Sequence, residues 1–340
     1  MMKIMRRLLT RLVLVVLAAV LAVGGYGLYR YQRFANTPLA VPEDGYHLLI
    51  KPGTSLGLVA QQLERDQVLD EPFLLRLMAR LDGSASRVKA GEYQLLPGTT
   101  PRRLLRMLVS GEVVLHSFTI IEGWTFKQMM QALRNHPAIE HTLDGAGQLS
   151  VMELLGEPGA HPEGWFYPDT YRFPRGTTDV DFLRRAYRVM QQQLADAWEQ
   201  RVDGLPLKSP YEALILASLI ERETAVPEER TRIAGVFVRR LQKGMRLQTD
   251  PTVIYGMGDA FDGNIRRRDL RTDTPYNTYT RHGLPPTPIA MPSGASIKAA
   301  LNPADGDELY FVSRGDGSHQ FSATLEEHNA AVRRYQLGGR

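Results

Sequence analysis

The sequence contains no cysteine. That excludes disulfides, thiol catalysis and anchoring through a lipidated cysteine. It fits an oxidising compartment, although a chain of 340 residues can bury a core without cross-links. No G-x-x-x-x-G-K-[ST] phosphate loop and no G-x-S-x-G nucleophile elbow occurs, and the eight histidines show no H-E-x-x-H or similar ligand spacing. Neither a metal nor a cofactor is therefore expected. Ser86-Arg87-Val88-Lys89 matches S-x-x-K, but the companion S-D-N and K-T-G patterns are missing, so the match reads as chance. A basic stripe is lacking too. The net charge is +4, yet Lys3, Arg6, Arg7, Arg11, Arg30 and Arg33 all precede the first acid, Glu43. Without those six, 35 basic residues face 37 acidic ones, which leaves no electrostatic footprint for nucleic acid.

What is present begins with a run free of charge. Leu12 to Tyr29 spans eighteen positions, about 27 Å of helix, close to the hydrocarbon thickness of a bilayer. Four basic residues precede the run and two follow, so a cytoplasmic N-terminus (residues 1–11) and a span over 12–29 are expected, with the bulk of the chain outside. A cleaved signal peptide competes, because Ala18, Ala19 and Ala22 are small. The run is longer than a usual signal core of about 7–15 residues, which favours a retained anchor.

Residues 30–45 read as a linker, since Asn36, Pro38, Pro42, Glu43, Asp44 and Gly45 interrupt any apolar period. Fully extended, the stretch from Gln32 to Gly45 would reach about 50 Å. Beyond it one pattern recurs: a short apolar strand, a glycine turn, a Thr or Ser cap, then an amphipathic helix. The copies are Leu49-Ile50-Lys51-Pro52-Gly53-Thr54, Leu95-Leu96-Pro97-Gly98-Thr99-Thr100 and Ile120-Ile121-Glu122-Gly123-Trp124-Thr125. A hydroxyl there accepts from free helix amides, as strand-to-helix junctions require. Unequal intervals argue against a solenoid. After the first copy, Leu56, Val59, Ala60 and Leu63 predict one helix face.

From residue 116 a larger unit is expected, with a helix over about 179–201 whose apolar face is Leu183, Ala186, Tyr187, Met190, Leu194, Ala197 and Trp198. Ser209-Pro210-Tyr211-Glu212 reads as a capping box that starts another helix. Ala213 to Ile220 is apolar on every face except at Ser218, so protein must enclose it. It runs into Glu221-Arg222-Glu223-Thr224. A carboxyl group at the end of an enclosed helix is desolvated, which raises its pKa and suits proton donation. Glu221 and Glu223 lie about 200° apart around a helix, so at most one faces a given cleft. Glu221 directly continues the apolar run and is the expected acid, although it could equally pair with Arg222 or another surface cation. A further helix is expected from Pro227, ending near Gly244. Arg314-Gly315-Asp316-Gly317-Ser318 looks like a hairpin turn before His319.

Several motifs stand in one order: Glu163-Gly164-Trp165-Phe166-Tyr167-Pro168-Asp169-Thr170-Tyr171, Glu221-Arg222-Glu223-Thr224-Ala225, Met245 to Gly256, Tyr276-Asn277-Thr278-Tyr279, Gly283-Leu284-Pro285-Pro286, and finally His319, Phe321, His328 and Asn329. Together they closely resemble the YceG-like (MltG) family of endolytic murein transglycosylases. Residues 46–115 resemble a LysM-type module, chiefly in Ile50 to Leu56 and Val59 to Leu63. Such a module implies affinity for N-acetylglucosamine glycans or a purely structural role. The family resemblance implies an α+β catalytic domain over 116–340. It also implies a carbon–oxygen lyase that cuts the β-1,4 bond between N-acetylmuramic acid and N-acetylglucosamine within strands and leaves 1,6-anhydro ends.

The family's single catalytic glutamate is mapped to Glu221, which would first protonate the glycosidic oxygen and then take the proton of the sugar's own C6 hydroxyl. Gln248, Thr249, Asp250, Tyr255, Tyr276, Asn277 and Tyr279 are candidate substrate contacts, by their amide, hydroxyl and aromatic chemistry. Each could equally be structural. The implied partners are glycan strands, the membrane and the synthases that polymerise those strands. Two other readings stay open: a two-carboxylate muramidase using Asp250 or Asp169 with water, and a non-catalytic glycan-binding scaffold.

Overall fold

The computed structural model describes residues 2–143 and 148–338, without the side chains of residues 2–4 and 148–150. The expected outer bounds, residues 1 and 340, lie outside the described residues. Two compact units make up the chain: one runs to His116 and includes Phe173–Gly176, and the other comprises Ser117–Arg172 and the chain from Thr177 onward.

Helix α1 (Met2–Asn36) opens the first unit. Over Met5–Asn36 it is long and apolar enough to cross a membrane, and its apolar window is wholly unburied. Leu12, Val15, Val20 and Leu21 are each more than half exposed, an arrangement that water disfavours and a bilayer relieves. The expected linker is not free chain. α1 continues to Asn36, with Ala35 fully buried and Leu39 nearly so. Arg30 pairs with Glu71 at 2.6 Å. The amides of Leu39 and Ala40 donate to the carbonyls of Thr99 (2.8 Å) and Val68 (3.1 Å). Backbone hydrogen bonds and two small apolar anchors fix this segment, so no apolar stripe announces it in the sequence.

Strand β1 (Tyr46–Ile50), helices α2 (Leu56–Arg65) and α3 (Pro72–Leu81), strand β2 (Gly91–Leu95) and helix α4 (Pro101–Ser110) complete this core. β1 and β2 are antiparallel, with Tyr46 opposite Leu95 and Ile50 opposite Gly91. Alternate residues Leu48, Ile50, Tyr93 and Leu95 point inward. Leu56, Val59, Ala60 and Leu63 are buried on α2, as their spacing predicts. Ser55 and Thr100 cap α2 and α4 by accepting from the amides of Leu58 and Arg103. Glu92 accepts from Arg175 Nε at 2.8 Å, His116 Nε2 at 2.9 Å and His47 at 3.3 Å. Arg175 foremost, then His116, lowers its carboxyl to about 2.

The second unit contains α5 (Phe126–Arg134), the two-residue strands β4 (Ile139–Glu140) and β6 (Thr177–Thr178), which pair in parallel, and α6 (Gln148–Leu154). Strand β3 (Leu115–Thr119) forms a two-stranded sheet with β5 (Thr170–Pro174). Helix α7 (Asp179–Glu199) is the predicted long helix, with Leu183, Ala186, Tyr187, Met190 and Leu194 buried.

At the centre is α8 (Pro210–Glu223). Against it pack α7, α9 (Arg230–Gln242), α10 (Asp250–Met257) and α12 (Gly294–Leu301). The predicted helix start at Pro227 is a 3-10 turn, Pro227–Glu229, that leads into α9. A short helix α11 (Arg267–Arg271), the antiparallel hairpin β7 (Tyr310–Ser313) and β8 (His319–Ser322), and α13 (Leu325–Tyr335) follow. The α+β class expected from the sequence holds.

Every residue from Ala213 to Ile220 is buried. Ser209 caps α8 through the Glu212 amide, but Glu212 reaches back to the amide of Lys208, one residue earlier than a reciprocal box requires. Ser218, the polar exception on α8, donates to the Ile215 carbonyl at 2.7 Å and accepts from the Ile289 amide at 3.0 Å. It fixes the strand of chain that leads to α12. Removing an acceptor from a buried amide costs about 1–3 kcal/mol. Ser218→Ala should therefore lower the stability of the detergent-solubilised protein by that amount in urea, followed by tryptophan fluorescence; an unchanged midpoint would contradict this account.

Candidate active site

Helix α8 delivers its last turn to a cleft of about 780 Å³. The walls are Thr119–Gly123, Pro168–Thr170, Glu221–Ala225 and Arg230. Both glutamates of the motif therefore reach one cleft, but they meet different surroundings.

Glu221 is already engaged. Its Oε2 accepts from the Ser293 amide at 2.9 Å, Ser293 Oγ at 2.6 Å and Ser296 Oγ at 2.7 Å. Ser293 is the N-cap of α12 and also accepts from the Ser296 amide at 3.2 Å. Glu221 thus joins α8 to the start of α12, where a carboxylate complements the free amides and the helix dipole. Arg222, the cation the sequence offered as its partner, instead donates to the Gly123 carbonyl at 3.2 Å. Gly123 turns there with φ +77°, in the left-handed region.

Glu223 is partly exposed and has one hydroxyl donor, Thr249 Oγ1 at 2.6 Å. Burial pushes its carboxyl above the usual range and nearby Asp250 adds to the rise, while the Thr249 bond and His319 oppose it. Thr249 is held from beneath. Its amide donates to Thr278 Oγ1 at 3.1 Å, and Thr278 meets Thr252 Oγ1 at 2.9 Å. All three threonines are buried. Gln248, before Thr249, has a φ of +52°, uncommon for a residue with a side chain. The Arg240 guanidinium supports that turn by donating to the carbonyls of Arg246 (3.0 Å) and Leu247 (2.9 Å) and to Gln248 Oε1 (3.3 Å).

The expected substrate contacts divide. Gln248 and Asp250 are exposed on either side of buried Thr249, and Tyr279 donates to Asp250 Oδ1 at 2.5 Å. Asp250 and Tyr279 are near enough to Glu223 to interact with its charge, and Gln248 precedes its donor Thr249. Tyr255 turns elsewhere and donates to Glu163 Oε2 at 3.0 Å, while Tyr276 meets Thr287 Oγ1 at 2.9 Å. Asn277 is fully occupied: Nδ2 donates to the carbonyls of Asp269, Leu270 and Thr272, and Oδ1 accepts from the Tyr279 amide. With 1% exposure it staples a loop and has no donor left for a sugar. Asp169 lines the cleft, exposed, and accepts from the amide of Thr170.

Three features escaped the sequence reading. Ser293 and Ser296, the partners of Glu221, are 72 and 75 residues away from it. His319 and Glu229 form a pair with Nδ1 to Oε2 at 2.7 Å, and the His319 amide adds a second bond at 2.8 Å. Glu163, quoted above only within a motif, is 3% exposed and also accepts from the Phe126 amide at 2.8 Å. No sequence period marks these pairings.

An N-terminal apolar helix, an α+β second unit and a polar cleft at the end of a buried helix define the class: a protein with a candidate membrane anchor and a candidate acid–base centre. The chain belongs to the YceG-like family, whose model matches residues 48–334. It is 31% identical over 303 residues to a Bacillus subtilis (strain 168) protein named endolytic murein transglycosylase, covering 84% of this chain and 83% of that one. A protein of the same name from Streptococcus pneumoniae serotype 2 (strain D39) is 27% identical over 352 residues; the match takes in 93% of this chain but 63% of the pneumococcal length. A crystal structure of a YceG-like protein from Listeria monocytogenes superposes with a TM-score of 0.55 at 29% identity, over 85% of this chain and 99% of that one.

Burial raises the Glu163 carboxyl to about 7. A carboxyl whose folded pKa lies above its unfolded one binds protons more tightly when folded, so its contribution is complete below the unfolded value and lost as pH rises through the folded one. Stability should therefore fall by up to about 3 kcal/mol between roughly pH 4.5 and pH 7, and Glu163→Gln should flatten that slope. Denaturation midpoints of both proteins at several pH values test this. Parallel curves would remove Glu163 as the cause.

Proposed function

We propose that this chain is an endolytic lytic transglycosylase of peptidoglycan, a carbon–oxygen lyase, and that Glu223 is its acid–base carboxyl group. The single observation that carries the reading is the environment of Glu223: a carboxyl raised by burial, open to a cleft, at the end of an enclosed helix. The expectation from sequence put the acid at Glu221. Three donors on one oxygen favour a structural task for Glu221, and the raised carboxyl two residues later favours Glu223 for the chemistry.

In this reading protonated Glu223 donates to the glycosidic oxygen between N-acetylmuramic acid and N-acetylglucosamine. The bond breaks as an oxocarbenium-like centre develops. The carboxylate so formed takes the proton of the muramic C6 hydroxyl, whose oxygen closes the 1,6-anhydro ring. One carboxyl group suffices because the nucleophile belongs to the substrate. Gln248, Asp250 and Tyr279 are the proposed sugar contacts, as exposed or partly exposed polar groups: Tyr279 donates to Asp250, and Gln248 and Asp250 flank Thr249, the donor to Glu223. The first unit, read as a LysM-like module, would add glycan contacts. Basic residues before the span support a cytoplasmic N-terminus, with both units outside, beside the synthases that extend the strands.

A second reading has one observation in its favour: Asp250 stands near enough to Glu223 to act on its charge. As a second carboxylate it would activate water and make the enzyme a muramidase. Mass spectrometry of products from purified strands separates the two, because hydrolysis gives ends one water heavier than the anhydro form. Glu223→Gln should abolish cleavage, by at least about 100-fold, whereas folded Glu221→Gln should retain part of it. Full activity in Glu223→Gln together with loss in folded Glu221→Gln would return the role to Glu221.

A further inference from the structure

The wall of the cleft holds a cation to which the reaction gives no task. Arg230 is the first residue of α9 and lines the cleft together with Glu122, Asp169, Glu221 and Glu223. Its side chain is partly buried, and its Nε is shielded from solvent yet has no hydrogen-bond partner. Among the described residues its guanidinium forms neither a hydrogen bond nor an ion pair. Arg222, the second arginine of the wall, is by contrast committed to the Gly123 carbonyl at 3.2 Å.

A guanidinium cannot shed its proton, so partial burial without a partner leaves its desolvation uncompensated. A buried donor left in that state points to a group that arrives with the substrate. The character of the wall narrows what that group is. Four carboxyl groups and two arginines line it, and such a surface repels an anionic branch of the substrate unless a cation meets it. A sugar hydroxyl or an acetamide carbonyl could accept from one N–H of Arg230, but would leave the charge unmatched. A carboxylate matches both the charge and the planar fork of donors.

We propose that Arg230 is a specificity-determining residue that pairs with a stem-peptide carboxylate of the strand and so selects peptide-bearing glycan; this rests on the reading of the cleft above as the site of strand cleavage. The N-acetylated sugars carry no charge, and the lactyl carboxyl of N-acetylmuramic acid is spent in its amide to the peptide. The anionic groups of an intact strand are therefore the carboxylates of its stems. Stripping the stems would uncover the lactyl carboxylate, a second anion of the same chemistry. Charge is therefore best removed with the stems in place.

The test gives full-length protein in detergent purified strands whose amines are acetylated, with their carboxylates either free or converted to methylamides. The wild type should cut the neutralised strands with a KM at least about tenfold higher and little change in kcat. Arg230→Gln should show that higher KM on the free-acid strands as well, and should no longer distinguish the two. Arg230→Lys, which keeps the charge and loses the fork, should fall between. Fluorescence anisotropy of labelled strands reads the same preference by affinity, without turnover: the wild type should hold free-acid strands more tightly, and Arg230→Gln should hold both alike. If circular dichroism shows that Arg230→Gln does not fold, Arg230→Lys carries the variant arm. Equal KM and equal affinity of the wild type for both strands, or an undiminished preference in the folded variant, overturns the proposal. A wild type that binds free-acid strands but cuts neither kind overturns instead the reading on which it rests.

Discussion

The second unit depends on how an apolar helix can end in charge. From Ala213 to Ile220 α8 is buried on all sides, and within three residues it must present carboxylates to a cleft. The protein meets this demand with the N-terminus of another helix. The amide and hydroxyl of the N-cap Ser293 and the hydroxyl of Ser296 receive Glu221, so the polar end of one element satisfies the polar end of its neighbour. Ser218 performs the same service one turn earlier for the chain approaching α12. Without these bonds α8 and α12 would each bury unsatisfied groups at the place where they meet.

That joint explains how two glutamates separated by a single residue come to differ. Glu221 is held by donors that belong to the framework. Glu223, rotated about 200° around the same helix, accepts from a single hydroxyl, that of Thr249. Rigidity supplied by the first defines the position of the second. The threonine cluster of Thr249, Thr252 and Thr278 extends that support from the other side. The surroundings of Glu223 are thus drawn from α8, the turn before α10 and the loop around Thr278.

Much of the architecture was legible in the sequence because it rests on local rules. The enclosed helix, the long amphipathic α7, the three glycine-turn junctions and the hairpin at Arg314–Ser318 all follow from period, caps and turn chemistry. The cleft was legible as a region. The partners of Glu221 were not, because continuity with an apolar run measures burial along one helix and says nothing of the serines that arrive 72 residues later. The engagement of Asn277 was equally hidden: an amide suited to a sugar is also suited to three carbonyls of its own loop. The docking of residues 30–45 was hidden for a related reason, since it depends on backbone bonds to Thr99 and Val68 that leave no pattern in side chains.

That docking bears on motion in the membrane. α1 passes without a break from its apolar window to Ala35, which is buried in the core of the first unit, and Arg30 is clamped to Glu71 just beyond the charge-free run. A domain on a flexible tether tumbles in three dimensions and samples every height its tether allows. A domain welded to its own span does neither. Once α1 lies in a bilayer, the first unit rotates only as the helix spins about its axis and rises only as the helix is drawn from the lipid. Its encounters with other membrane-bound molecules then become a planar search at fixed height, with one rotational coordinate left to match.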